Sequence, residues 1–170
     1  MIPNCNISSV CFTGHRDLTD SEIYQNSERL SSLLRKLIVH HGLKHCFAGG
    51  AIGFDTVAAK TVLSLKPSYP ELSLHLILPC QGQENSWNEA QKRDYQVIKE
   101  KADSVRVLAP FFYNGCMQAR NRELLLNADL CIAYLRKGTK TGGSLNTVLQ
   151  AAKLGITVIN IADYESEDIL

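Results

Sequence analysis

Six short apolar segments, several rich in β-branched residues, alternate with helix-patterned stretches along almost the whole chain, and this alternation is what most restricts the fold. Val10 to Thr13, Lys44 to Ala48, Leu72 to Leu78, Ser104 to Leu108, Leu130 to Tyr134 and Thr157 to Ile161 read as strands. Several are apolar throughout, as strands of a parallel sheet covered on both faces must be. Between the first two, Leu30, Leu33, Leu34, Leu37, Ile38 and His41 recur every three or four residues and form one helical stripe. Thr19 with Glu22 makes a capping box at its start, and Gly42 is placed to end it. Further helices are expected over Phe54 to Leu65, about Asn88 to Ala102, Cys116 to Asn127, and from Leu145 towards Gly155. The pattern predicts an α/β fold: a doubly wound, mostly parallel sheet of about six strands with helices on both faces. In such sheets ligands bind at the C-terminal ends of the strands.

Two glycine clusters sit where a strand hands over to a helix. Gly138 to Ser144 follows the fifth strand, and Gly49, Gly50 and Gly53 follow the second. Glycine lets main-chain N–H groups come close to a ligand, and a helix N-terminus offers unsatisfied donors and the positive end of its dipole to an anion. Two such corners in one small domain predict a nucleotide-like ligand. Neither is a standard fingerprint: Gly49 to Gly53 reads Gly-Gly-x-x-Gly rather than Gly-x-Gly-x-x-Gly, and Gly138 to Ser144 lacks the Gly-Lys-Ser/Thr ending of a P-loop.

With 170 residues the chain has the usual size of one domain, with a core over about 8–162 and a polar end, 163–170, expected to fray. Eighteen Lys and Arg against 17 Asp and Glu leave a net charge of +1, so nothing favours strong nonspecific binding to nucleic acid. No apolar run approaches the roughly 18 residues of a membrane span and no signal-peptide pattern opens the chain, which makes a cytoplasmic location the default. The six cysteines, Cys5, Cys11, Cys46, Cys80, Cys116 and Cys131, contain no Cys-x-x-Cys pair. Reduced, buried thiols are therefore expected rather than a zinc site or disulfides.

The loops after the strands supply the candidate chemistry. Thr13, Gly14, His15 and Arg16 follow the first strand. Arg16 either clamps a phosphate or pairs with Asp17 or Asp20 at the surface. His15 either serves as acid or base or is simply hydrogen-bonded. Asp55 enters the first turn of a helix, where it either binds a ribose hydroxyl or complements the dipole. Trp87 either stacks on a base or packs at a helix start. Cys80 has no base partner in sequence and makes a weak nucleophile candidate. Arg120 and Asn121 are placed to point at a cleft while Arg122 faces water, or the whole set is a solvated face.

In this order, Thr13-Gly14-His15-Arg16, Gly49-Gly50-Ala51-Ile52-Gly53-Phe54-Asp55, Trp87 with Arg93-Asp94-Tyr95, Ala102-Asp103, Arg120-Asn121, Ala128-Asp129 and Gly142-Gly143-Ser144-x-Asn146-Thr147 resemble the YpsA-like branch of the SLOG superfamily. That superfamily also holds the DprA/Smf proteins and the cytokinin-activating LOG enzymes. The resemblance spans roughly residues 10 to 161. It implies a Rossmann-like fold, a pocket at the sheet's C-terminal edge, and often paired subunits. It also implies phosphate at Gly142, Gly143, Ser144, Asn146 and Thr147, with Gly49, Gly50 and Gly53 beside it and Arg16 near the ligand.

One departure bears on catalysis. LOG enzymes carry Pro-Gly-Gly-x-Gly-Thr-x-x-Glu, and this chain has Leu149 at the position of that glutamate. An isobutyl group cannot stabilise an oxocarbenium ion, so that mechanism is disfavoured, unless Asp55 or Glu84 substitutes. The expected role is binding or sensing of a nucleotide-derived small molecule, such as an ADP-ribose- or NAD-like one, without a metal or other cofactor. Cleavage of an N-glycosidic bond is the alternative, and DprA-like DNA binding is a second.

Overall fold

The computed structural model describes residues 6–163. Six strands, β1 (Ser9–Gly14), β2 (His45–Ala48), β3 (Ser73–Leu78), β4 (Ser104–Val107), β5 (Leu130–Tyr134) and β6 (Thr157–Asn160), form one sheet in the order β4-β3-β2-β1-β5-β6. Every neighbouring pair is parallel, and Val10 stands in register with Cys46 on one side and Leu130 on the other. Each strand lies within about a residue or two of its expected bounds. At the end, Ile161 leaves the strand, and Ile161–Asp163 turn into a 3-10 helix. Asp163 is the only described residue of the expected frayed tail, and Cys5 also lies outside the described range.

Helices α1 (Asp20–His41), α2 (Phe54–Leu65), α3 (Glu89–Lys101), α4 (Cys116–Leu126) and α5 (Gly143–Lys153) make the crossovers. Right-handed connections put α1 to α3 on one face, where they pack on one another in sequence, and α4 with α5 on the other. The helix ends follow from local chemistry. Thr19 and Glu22 cap α1 reciprocally, Gly42 stops it in the left-handed region, and Asn88 with Gln91 repeats the capping box on α3. Strand pleat then sorts the core. Val10, Phe12, Leu74, Leu76 and Ile132 point towards α1 and α2, where Leu30, Leu33, Leu34 and Leu37 meet them. Cys11, Ile77 and Cys131 point the other way, against Leu124, Leu125 and Ala151. Each fully buried leucine contributes about 1.5–3 kcal/mol, so the first layer carries most of the stability.

Cys11, Cys46, Cys80, Cys116 and Cys131 are buried free thiols, as expected. No helix among the described residues is long and apolar enough to cross a membrane.

The chain leaves β1 towards β2 on one side, whereas β5 lies on the other. The strand order therefore reverses between β1 and β5, and this switch point opens a crevice beyond their C-terminal ends.

Candidate functional site

The crevice holds a cavity of about 290 Å³ built from four segments distant in sequence. Thr13, Gly14, His15 and Arg16 come from the end of β1, Ala51 and Asp55 from the turn into α2, Met117, Arg120 and Asn121 from α4, and Thr139 and Thr141 to Leu145 from the turn into α5. It gathers eleven of the sequence-predicted site residues: Thr13, Gly14, His15, Arg16, Asp55, Arg120, Asn121, Gly142, Gly143 and Ser144 line it, and Gly49 touches it through Arg120.

One side of the cavity is the start of α5. Gly142 caps that helix without any side-chain hydrogen bond, and the first intrahelical bond of the turn runs from the Asn146 N–H to the Gly142 carbonyl. The N–H groups of Gly143, Ser144 and Leu145 are thus the orphan donors of this helix end, and all three residues line the cavity. A Cβ built on Gly142 or Gly143 would meet nothing within 4 Å, so the approach is open. The Ser144 hydroxyl donates to the Gly14 carbonyl at 2.7 Å, which leaves its main-chain N–H as its offering to the cavity.

Opposite lies a buried pair of charges. Arg120 is 4% exposed and Asp55 7%, with 3.9 Å between Nη1 and Oδ2. Arg120 donates through Nη1 to the Gly49 carbonyl and through Nε to Asn121 Oδ1 at 2.7 Å, while Asp55 accepts from the Ala51 N–H at 3.2 Å. Burial pushes the Asp55 carboxyl up and the Arg120 guanidinium down, and each is opposed by the charge of the other. The buried, hydrogen-bonded Arg120 and the exposed Arg122 follow the division read from helical spacing.

The first loop is held by a network that the sequence did not reveal. Arg136, just past β5, donates from Nε to Glu22 Oε1 at 2.6 Å and from Nη2 to Glu22 Oε2 at 2.9 Å; it also reaches the Asp17 carboxylate and carbonyl. Tyr134 donates its hydroxyl to Glu22 at 2.7 Å. These bonds, those to Arg136 first, hold the Glu22 carboxyl well below the usual range. The network takes Asp17 away from Arg16, and Arg16 forms no ion pair among the described residues. Its guanidinium donates through Nη2 towards Met117 Sδ at 3.9 Å. His15 Nε2 accepts from the Arg136 N–H at 3.1 Å, which puts the ring proton on Nδ1 and makes the imidazole a tie between two loops. No spacing rule flags Arg136: its partners lie over 110 residues away.

Other expected site residues fall elsewhere. Trp87 packs edge-on against Tyr95 with ring centroids 5.2 Å apart, outside the cavity, because the loop before α3 turns it onto the main core. Asn146 is exposed one turn along α5, and Thr147 is buried with its hydroxyl donating to the Gly143 carbonyl at 2.9 Å. Gly50 is buried and its carbonyl accepts from Gln83 Nε2 at 3.3 Å; Gly53 sits between Arg16 and a neighbouring groove. Leu149 is 53% exposed on α5 and does not line the cavity, nor does Glu84. Cys80 is buried at the end of β3, where burial pushes its thiol up, the reverse of what a nucleophile needs. Thr139 and Thr141 line the cavity as part of the Gly138 to Ser144 loop, and Met117 lines it without having been expected there.

Comparison with known proteins shows the chain's family. The family model of YpsA, described as the YspA SLOG family, matches residues 10–161. The chain is 30% identical over 129 residues to a UPF0398 protein of Staphylococcus saprophyticus, covering 72% of this chain and 68% of that protein. It is 28% identical over 134 residues to one of Bacillus velezensis, covering 79% and 73%. A third, from Brevibacillus brevis, is 33% identical over 102 residues, covering 58% and 54%. The chain belongs to the YpsA family of SLOG proteins.

Proposed function

We propose that the protein binds a nucleotide-derived small molecule, with its phosphate on the N-terminus of α5 and its ribosyl part against Arg120 and Asp55. The observation that supports this most is the open, uncapped start of α5 facing a buried arginine across one cavity. Three converging N–H donors and two guanidinium groups, Arg120 within and Arg16 at the rim, suit a phosphate oxyanion without help from a metal. Asp55 supplies the acceptor that a sugar hydroxyl needs. Family membership fits a nucleotide-related role. The expected pairing of subunits belongs to the same reading, and light scattering on the purified protein measures it.

Thermal denaturation with AMP, NAD and ADP-ribose tests the proposal. Ligand at about 100 times its dissociation constant adds roughly 2.7 kcal/mol. A rise in melting temperature with at least one of them is expected, and an unchanged transition with all three contradicts it.

Asp55 also favours a second reading, cleavage of the N-glycosidic bond. A carboxyl raised by burial is suited to protonate a leaving base. It is, however, the sole carboxylate lining the cavity among the described residues, where glycoside hydrolysis ordinarily uses two. Chromatography for free base after incubation with AMP and NAD decides it: release by the wild type but not by Asp55→Asn supports the enzyme, and no release retires it.

A further inference from the structure

Beside the cavity, on the face of the sheet that carries α1 to α3, runs a groove of about 250 Å³. Its walls are Leu18 before α1, Ile23 and Ser27 on α1, Ile52 before α2, and Thr56 and Val57 on α2. At one end Lys60 meets Asp94 at 2.7 Å, both side chains about half exposed. The character of this groove differs from that of the cavity: Leu18, Ile23, Ile52 and Val57 give it more apolar than polar surface, and the hydroxyls of Ser27 and Thr56 already donate to the Ile23 and Ala51 carbonyls. Aliphatic walls receive the faces of a planar ring, while an ammonium beside a carboxylate offers a donor and an acceptor to its edge.

Arg16 lines both hollows. The wall between them is the contact of the first loop with Gly53, where a Cβ would stand 2.5 Å from the Arg16 Cα and carbonyl oxygen and from the His15 carbonyl. Only glycine permits that approach, so the partition is thin, and Arg16 borders both sides of it. Each hollow alone lies near the lower end of the about 300–1,000 Å³ of ordinary small-molecule sites, and the two together fall well within that range.

We infer that cavity and groove are two halves of one site, which takes a two-headed diphosphate: a ribosyl phosphate in the cavity, the diphosphate bridge under Arg16, and a planar heterocycle in the groove between α1 and α2. This rests on the proposed phosphate site at α5. It explains why Arg16 is left without a carboxylate partner while Asp17, next to it, is engaged by Arg136.

Titration calorimetry of the full chain with AMP and with ADP-ribose, on the wild type and on Ile23→Trp, tests the inference. Ile23 is 41% exposed on α1, so the larger ring is accommodated without repacking the core and fills the groove. The wild type is expected to bind ADP-ribose at least about tenfold more tightly than AMP, and Ile23→Trp to lose that excess while its AMP affinity stays within about twofold. Ser27→Phe, one helical turn along, reads the same quantity and guards against a local fault of the first variant. Wild-type affinities that are equal, or an excess that survives in both variants, overturn the second half-site and leave the cavity reading standing. Absence of binding by either compound overturns both.

Discussion

The two glycine corners look alike in sequence and differ in kind in the structure. At the turn into α2 the glycines are spent on packing. A Cβ at Gly49 would lie 2.0 Å from Arg120 Nη1, one at Gly50 would lie 2.6 Å from Leu78 Cδ2, and the Phe54 N–H is taken by the His15 carbonyl. At the turn into α5 a Cβ on Gly138, Gly142 or Gly143 would meet nothing within 4 Å, and no side chain caps the helix. The first corner is a closed joint that fixes a buried charge pair; the second is an open cradle. A glycine cluster between strand and helix therefore signals close approach, and the partner decides whether protein or ligand makes it.

The sharpest way to break this contrast is to remove the guanidinium that the closed corner holds. Arg120→Ala leaves Asp55 buried without its cation and the Gly49 carbonyl without its donor. Losing one partner of a buried pair costs about 3–5 kcal/mol, with about 2–4 °C of melting temperature per kcal/mol for a domain this size. A variant that melts with the wild type would mean the joint is held by something else.

Gly49→Ala probes the same corner from the main chain. Its methyl group displaces Arg120 from the carbonyl it binds, and we expect a loss of about 2–4 kcal/mol in urea unfolding. Should the midpoint hold, the corner has slack that the packing denies.

A smaller effect is expected at the tie that carries the first loop. Glu22→Gln weakens the charge-assisted bonds to Arg136 and lowers stability by about 1–2 kcal/mol at neutral pH. The Glu22 carboxyl is depressed in the folded state, so its contribution is full above the unfolded value of about 4.3 and is lost as pH falls from there through the folded one. The acid limb of the wild-type stability curve should accordingly be steeper than that of the variant. Parallel limbs would contradict the assignment.

The smallest stability effect belongs to the open corner. Gly143 has an ordinary φ and free space for a methyl group at the start of a helix, so Gly143→Ala is expected to change stability by no more than about 0.5 kcal/mol. Its methyl group projects where the phosphate is proposed to sit, and AMP affinity should fall about tenfold. A large loss of stability at Gly143, or none at Gly49, would erase the distinction between the corners.

The fold was legible because its signals are local. Apolar strand segments, the Thr19–Glu22 box and Gly42 lie within a few residues of the backbone they govern, and α2 spans Phe54–Leu65 as read. The site was legible only as a set of loops. Helical spacing separated Arg120 from Arg122, yet nothing local told that Arg120 ends on the Gly49 carbonyl, 71 residues away. Trp87 was ambiguous for the same reason, since Tyr95 and the core behind it decide whether the ring packs or waits for a ligand. Arg136 passed unnoticed because Glu22 and Asp17 become its neighbours only once β1 and β5 pair.

Amide chemical-shift mapping of the full chain titrated with AMP tests the central claim most directly. The account predicts that the largest movements fall on the N–H groups of Gly143, Ser144 and Leu145, with the Arg120 side chain following and the closed corner at Gly50 nearly still. Shifts confined to other surfaces, or none at saturating AMP, would contradict it.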